Sequence, residues 1–235
     1  MATSSIERVP LIIPSASNCV LWMRPQDTTP DNMTFSDNRL SAIKNLANNR
    51  ILIRNTVLAN QPGTGVATIN GLNAISFDND NSRWLLTGIP GNLASFTAFF
   101  VVQKTFSASV GTVLGGGGTT LVRFNTVEAS FLTGDGTTQL TISTGASMFT
   151  APAIIAVVAI AGSSTRNVYK NSLTVGATGA YDGGITPALF GTNNTGSGVG
   201  GFNLGETVIY NTSLSTDEIT RIMRYLADKS GVILT

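Results

Sequence analysis

The chain of 235 residues contains no histidine. That excludes Ser-His catalysis and histidine-ligated zinc, and it leaves a thiol nucleophile without its usual base. One cysteine is present, Cys19, so no disulfide can form within the chain. Its expected place is the interior, as a small hydrophobe. Charged residues make up 11% of the chain, against about 25% in typical globular proteins. The formal net charge of +1 offers no electrostatic basis for binding nucleic acid or an anionic membrane. The longest apolar run, "APAIIAVVAIAG" at residues 151 to 162, falls short of the ~20 residues that cross a bilayer and reads as a buried strand. No basic region precedes an apolar run in "MATSSIERVPLIIPSASN", so the N-terminus does not read as a secretory signal.

Glycine, threonine, serine and asparagine supply the polarity that charge does not. This mix suits short strands joined by many turns. A mean hydropathy of +0.22 with so few charges points to surface covered by other subunits. Residues 1 to 17 read as an extended arm, because Pro10 and Pro14 oppose helix and interior strand. Leu11, Ile12 and Ile13 between them predict docking on this domain or on a neighbour. From residue 18 to 235 the pattern is one domain. "CVLWM" is a first buried strand and "TTPDNMTFSDN" a loop, while "RLSAIKNLANNR" fits a short helix or an irregular segment. "NGLNAISFDNDNSRWL" gives strand, polar turn and strand. "SFTAFFVVQKTF" is rich in aromatic and β-branched residues. "GTVLG", "LVRFN", "VEASFLT" and "QLTIST" follow between glycine-rich turns. Residues 151 to 161 pair with "RNVYKNSLTVG" across "GSST", and Asn171-Ser172 makes the next hairpin turn. The whole predicts a two-sheet antiparallel sandwich.

Only the end of the chain predicts a well-specified helix. Ser215 and Glu218 form a capping box, Asp217 and Glu218 suit the positive end of the helix dipole, and Lys229 suits its negative end. Ile219, Ile222, Met223 and Leu226 make one apolar stripe, expected to pack on the sheet. Asp217 and Arg221 stand four apart, where they can pair. Gly231 suits the left-handed residue that ends such helices.

The stretch "GFNLGETVIYNTSLSTDEITRIMRYLADKSGV" resembles the C-terminal signature of laminin-G-like jelly-roll domains of the concanavalin A-like lectin and glucanase superfamily. "LWMRPQD", the asparagine-rich run through "INGLNAISFDNDNSRWL", "FTAFFVVQK" and "RNVYKNSLTV" resemble other blocks of that family in order, from residue 19 to 233. The resemblance implies an all-β, two-sheet antiparallel jelly-roll sandwich closed by a short C-terminal α-helix. Ile43 replaces an aromatic of the family pattern, Asp78-Asn79-Asp80-Asn81 lacks its glycine, and Asn171-Ser172 replaces Asn-Gly. The superfamily's glucanases carry Glu-x-Asp-x-Glu on one strand. The four glutamates here, Glu7, Glu128, Glu206 and Glu218, lie in no such pattern, so no catalytic residue and no enzyme is expected.

Binding candidates remain. Asp78 and Asp80 are hard oxygen donors on a turn, of the kind Ca²⁺ takes, though Asp and Asn also simply make turns; no other cofactor is expected. Gly196, Gly198 and Gly201 match G-x-G-x-x-G but lead into a strand, and "GGGG" at 115 to 118 lacks a P-loop ending, so both read as turns. Sequons at Asn32, Asn193 and Asn211 read as chance. Trp22 and Trp84 sit in core-like contexts. Tyr181 with Asp182, and Asn193 with Asn194, are the loop candidates for hydrogen bonding a sugar. The expected function is a non-enzymatic virion structural or adhesion protein, a phage decoration, head-fibre or tail component on the particle surface. Its lectin-like domain would bind host surface glycans, and its partners would be further copies and other virion proteins, without nucleic acid or membrane insertion. The alternative is a free carbohydrate-binding module.

Overall fold

The computed structural model describes residues 17–48, 50–53, 61–77, 85–89, 91–105, 111–116, 119–124, 128–132, 139–143, 151–163, 165–180, 184–191 and 201–235. The first strands are β1 (Cys19–Met23), β2 (Met33–Ser36), β3 (Arg39–Asn45), β4 (Arg50–Ile53), β5 (Thr68–Ile69) and β6 (Leu72–Asn73). They are followed by β7 (Ile75–Phe77), β8 (Leu85–Leu86), β9 (Phe96–Lys104), β10 (Gly111–Gly116), β11 (Thr119–Phe124) and β12 (Glu128–Leu132). Then come β13 (Gln139–Ser143), β14 (Ala153–Ile160), β15 (Thr165–Lys170), β16 (Ala177–Ala180), β17 (Leu189–Phe190) and β18 (Phe202–Tyr210). Helix α1 (Thr216–Ser230) closes the chain's regular structure.

One sheet runs β1-β18-β9-β14-β15-β16, with β7 also paired to β18; the other runs β13-β12-β11-β10-β17-β8. Strand pairing is antiparallel in both. Between the sheets, Phe100, Val102, Ile155, Val157, Leu204 and Ile209 meet Val113, Leu114, Val122 and Phe190. The opposite face of the seven-stranded sheet is covered as well. There Phe99, Val101, Ile154, Val158 and Val208 pack with Ile219, Ile222, Met223 and Leu226 of α1. Burial on both faces is why β14 reads as an unbroken apolar run, and β9 as a largely apolar one, rather than as alternating strands. It is also why the chain ends on an amphipathic helix: without α1, this outer apolar face would be wet.

The helix is bounded as its sequence predicts. Glu218 N–H donates to Ser215 Oγ at 3.4 Å, and Ser215 N–H donates to Glu218 Oε2 at 2.9 Å. Ser215 Oγ also donates to Glu218 Oε2 at 2.7 Å. The two bonds donated by Ser215, backbone and side chain, helped by Arg221, hold the Glu218 carboxyl below its ordinary range. Arg221 thus acts on Glu218. Among the described residues it makes no ion pair with Asp217 within 4.0 Å. Gly231 takes φ 68° at the C-terminus. Beside it Asn70, in the β5–β6 turn, donates its amide to Ser230 O at 2.8 Å.

Two segments differ from the sequence reading. "TTPDNMTFSDN" contains β2, and the segment read as helix or irregular is β3, within a three-stranded sheet ordered β2-β3-β4. Leu40, Ile43 and Leu46 imitate helical spacing, but the turn decides the outcome. Asp37 and Asn38 both adopt positive φ, 50° and 58°. That is the two-residue hairpin geometry whose twist matches paired strands. Asn45 then fastens this sheet to β1: its Oδ1 accepts from Trp22 N–H at 2.9 Å, and its Nδ2 donates to Val20 O at 2.9 Å.

Candidate functional site

Tyr181, Asp182, Asn193, Asn194, Asp78, Asp80, Leu11, Ile12 and Ile13 lie outside the described residues, as does Trp84. Cys19 is buried, and burial pushes its thiol up to about 12. Gly115 and Gly116 end β10, with Gly116 paired to Thr119 of β11. The Asn32 sequon is inaccessible, since Asn32 is 4% exposed.

Three charged side chains are buried among the described residues, Lys104, Arg166 and Glu206; Glu206 joins three elements. In regular alternation with Leu204, which faces the sandwich core, Glu206 would point into that core too. The register shifts between Leu204 and Thr207 instead. This bulge sends Glu206 to the helix side, as bulges re-aim side chains. Gly205 permits the close approach: a Cβ there would lie 3.1 Å from Val101 Cβ. On the helix side Glu206 Oε1 accepts from Trp22 Nε1 at 2.7 Å and from Tyr225 Oη at 2.9 Å. Its Oε2 accepts from Gln26 Nε2. Arg24 Nε lies 3.9 Å away, and the Arg24 guanidinium stands 5.8 Å from the Trp22 ring centre. Burial, then the Glu206 charge, raises the Tyr225 phenol above its ordinary range. The adjoining cavity, lined in part by Gln26, Glu206 and Lys229, measures about 20 Å³. That is room for about one water. Glu206 therefore ties β1, β18 and α1 together.

Among the described residues a more open concavity lies on the β2–β3 hairpin. It measures about 250 Å³ and sets Asp31, Asn32, Thr34 and Lys44 among the apolar Pro30, Met33, Ala42 and Ile43. Asp31 and Thr34 are exposed, and Lys44 is half-buried. The turn leading into β2 holds its shape through Asn32 N–H and Met33 N–H, each donating to Thr29 O at 2.9 Å. Lys44 N–H donates to Asn32 O at 2.7 Å, which sets the two residues opposite each other. Asn32 Nδ2 donates to Arg24 O at 3.0 Å and Asp27 O at 2.6 Å. Its Oδ1 has no partner among the described residues. Sequence reasoning missed this groove because it took the segment for a loop. Paired strands are what place Asn32 beside Lys44.

No protein-family model matches the chain, and no curated protein matches it. Its fold, however, is shared by solved structures. The binding domain of Paraclostridial Mosquitocidal Protein 1 superposes with a TM-score of 0.58 at 14% identity, over 89% of this chain and 52% of that one. The botulinum neurotoxin serotype D binding domain gives 0.58 at 8% identity, over 89% and 52%. Trypanosoma rangeli sialidase in complex with sialic acid gives 0.59 at 12% identity, over 92% and 34%. The chain spans about half the length of the two toxin structures. At these identities the likeness establishes the fold, an antiparallel β-sandwich.

Proposed function

We propose that this chain is a non-enzymatic attachment domain on the surface of a virus particle, a phage decoration, head-fibre or tail component that binds host glycans. The observation that carries the binding role is the open groove that sets Asp31, Asn32, Thr34 and Lys44 among apolar residues. It sits on a sandwich of the same fold as two toxin binding domains and a sialidase complexed with sialic acid. The non-enzymatic reading draws on the absence of histidine and on Glu206, whose carboxylate is held by Trp22, Gln26 and Tyr225.

The particle context has separate support. The apolar "PLIIP" segment and the scarcity of charge suit a chain that packs against others. So do exposed Phe35, Val66 and Ile233, the last 82% exposed. A free carbohydrate-binding module accounts for the groove equally well, and it differs in needing no partner copies.

The test is a glycan array probed with the full chain, run beside a glycosidase assay on the same sugars. Glycan binding without turnover is the expected result. Turnover abolished by one Asp substitution would make the protein an enzyme. Binding by a strict monomer, with no assembly at any concentration, would favour the free module.

A further inference from the structure

The next step rests on the glycan-binding reading and names the ligand of the groove. We propose that the groove at the β2–β3 hairpin takes a single neutral sugar ring, held by hydrogen bonds and without calcium.

Charge argues for neutrality. Asp31 and Lys44 bring one charge of each sign to the groove, and they do not pair with each other within 4.0 Å. A ligand carboxylate attracted by Lys44 would also meet Asp31, and a ligand ammonium would meet the reverse. A neutral ring with neighbouring hydroxyls uses both, donating to the carboxylate and accepting from the ammonium. Thr34 adds a hydroxyl that can do either.

Asn32 shapes the groove rather than meeting the ligand. Its Nδ2 donates to the carbonyls of Arg24 and Asp27 and its Oδ1 is fully buried, so the polar contacts to a ring come from Asp31, Thr34 and Lys44.

Size argues for one ring. The groove's 250 Å³ lies just below the ~300–1,000 Å³ of sites for drug-sized ligands. Its lining contains no aromatic ring, so stacking does not contribute and each site binds weakly. Useful attachment then comes from many copies engaged together. One lining carboxylate is also far from the six to eight oxygens that Ca²⁺ takes.

Saturation-transfer NMR of the full chain with neutral, acidic and amino monosaccharides, at about 50 mM, covers ligands with Kd in the millimolar range. The expected result is binding of a neutral sugar, unchanged by EDTA. Asp31→Ala and Lys44→Ala, with unchanged melting, should each weaken it about tenfold or more, the scale of one hydrogen bond to a charged group. If the chain binds sugars and both variants bind like wild type, the groove assignment is overturned while the glycan-binding reading stands. Binding confined to acidic or amino sugars, or lost in EDTA, overturns the neutral calcium-free ligand. If no monosaccharide binds here and no glycan binds on the array, the glycan-binding reading fails and this assignment with it.

Discussion

Tyr225 on α1 donates its phenol to Glu206 on β18 at 2.9 Å, so a helix and a sheet share one buried carboxylate. Hydrogen bonds to charged groups are worth about 1.5–3 kcal/mol. Tyr225→Phe should therefore lower the unfolding free energy by about that amount, measured by urea titration with an unchanged slope. An unchanged midpoint would mean that water replaces the phenol without cost.

Ile222 lies on the apolar stripe of α1 at 6% exposure, packed on the outer face of the seven-stranded sheet. An unpaired carboxylate there has no compensating partner. Ile222→Asp should cost several kcal/mol or give insoluble protein. Melting at the wild-type temperature would show that α1 does not depend on this contact.

The elements that were legible in the sequence are those whose signals are local. Ser215, Glu218, Gly231 and the stripe from Ile219 to Leu226 defined α1 within one segment, and the runs in β9 and β14 were legible for the same reason. The β2–β3 hairpin was not. Leu40 and Ile43 stand three apart, a helical spacing, and both reach the core from a strand because the β2–β3 register shifts between them, after a turn that Asp37 and Asn38 make at positive φ. Glu206 stood in plain view inside "ETVIY", yet its surroundings depend on a bulge and on Trp22, 184 positions away. The groove was hidden for the same reason. Asp31 and Asn32 meet Lys44 only through strand pairing, whereas Tyr181, Asp182, Asn193 and Asn194 were chosen for residue type alone. Those four lie outside the described residues.

Asn70 tests the C-terminal cap. Its side chain bonds Ser230 O at 2.8 Å, and its own φ is +49°. Asn70→Gly keeps that backbone conformation accessible and removes the bond, so the expected loss is about 1 kcal/mol. Asn70→Ala adds strain at positive φ and should lose more. Equal stability for the two variants would mean that the backbone conformation carries no cost.

Stability should fall in alkali, and Cys19 isolates part of that fall. Burial raises its thiol from 9.0 to about 12. The unfolded state therefore releases this proton first, and folding loses stability as pH rises from about 9 toward 12. Tyr169, Tyr210 and Tyr225, also raised by burial, act in the same direction, while Lys104 and Lys170, lowered by burial, act in the opposite one. Comparing wild type with Cys19→Ala cancels the groups that do not interact with Cys19; Tyr210, whose phenol Cys19 helps to raise, moves with it in the same direction. The wild type should lose more stability across this pH window, and parallel curves would show that the thiol does not titrate differently on unfolding. In the folded protein at pH 8, Cys19 should also resist thiol reagents until denaturant is added.

The final expectation concerns residues 1 to 17, read from sequence as an arm. Ordering such a segment costs about 1–2 kcal/mol of backbone entropy per residue. Burial of Leu11, Ile12 and Ile13 returns about 1.5–3 kcal/mol each, which offsets only a few of those residues. Extensive further contact is needed, and strand addition to a sheet edge would supply backbone hydrogen bonds. On the virion reading, that edge belongs to a neighbouring chain. Deleting residues 2 to 14 should leave a sandwich that melts as before but no longer assembles, as followed by light scattering. Normal assembly by the truncated protein would remove the arm from the interface, and with it the main sequence support for placing this domain on a particle.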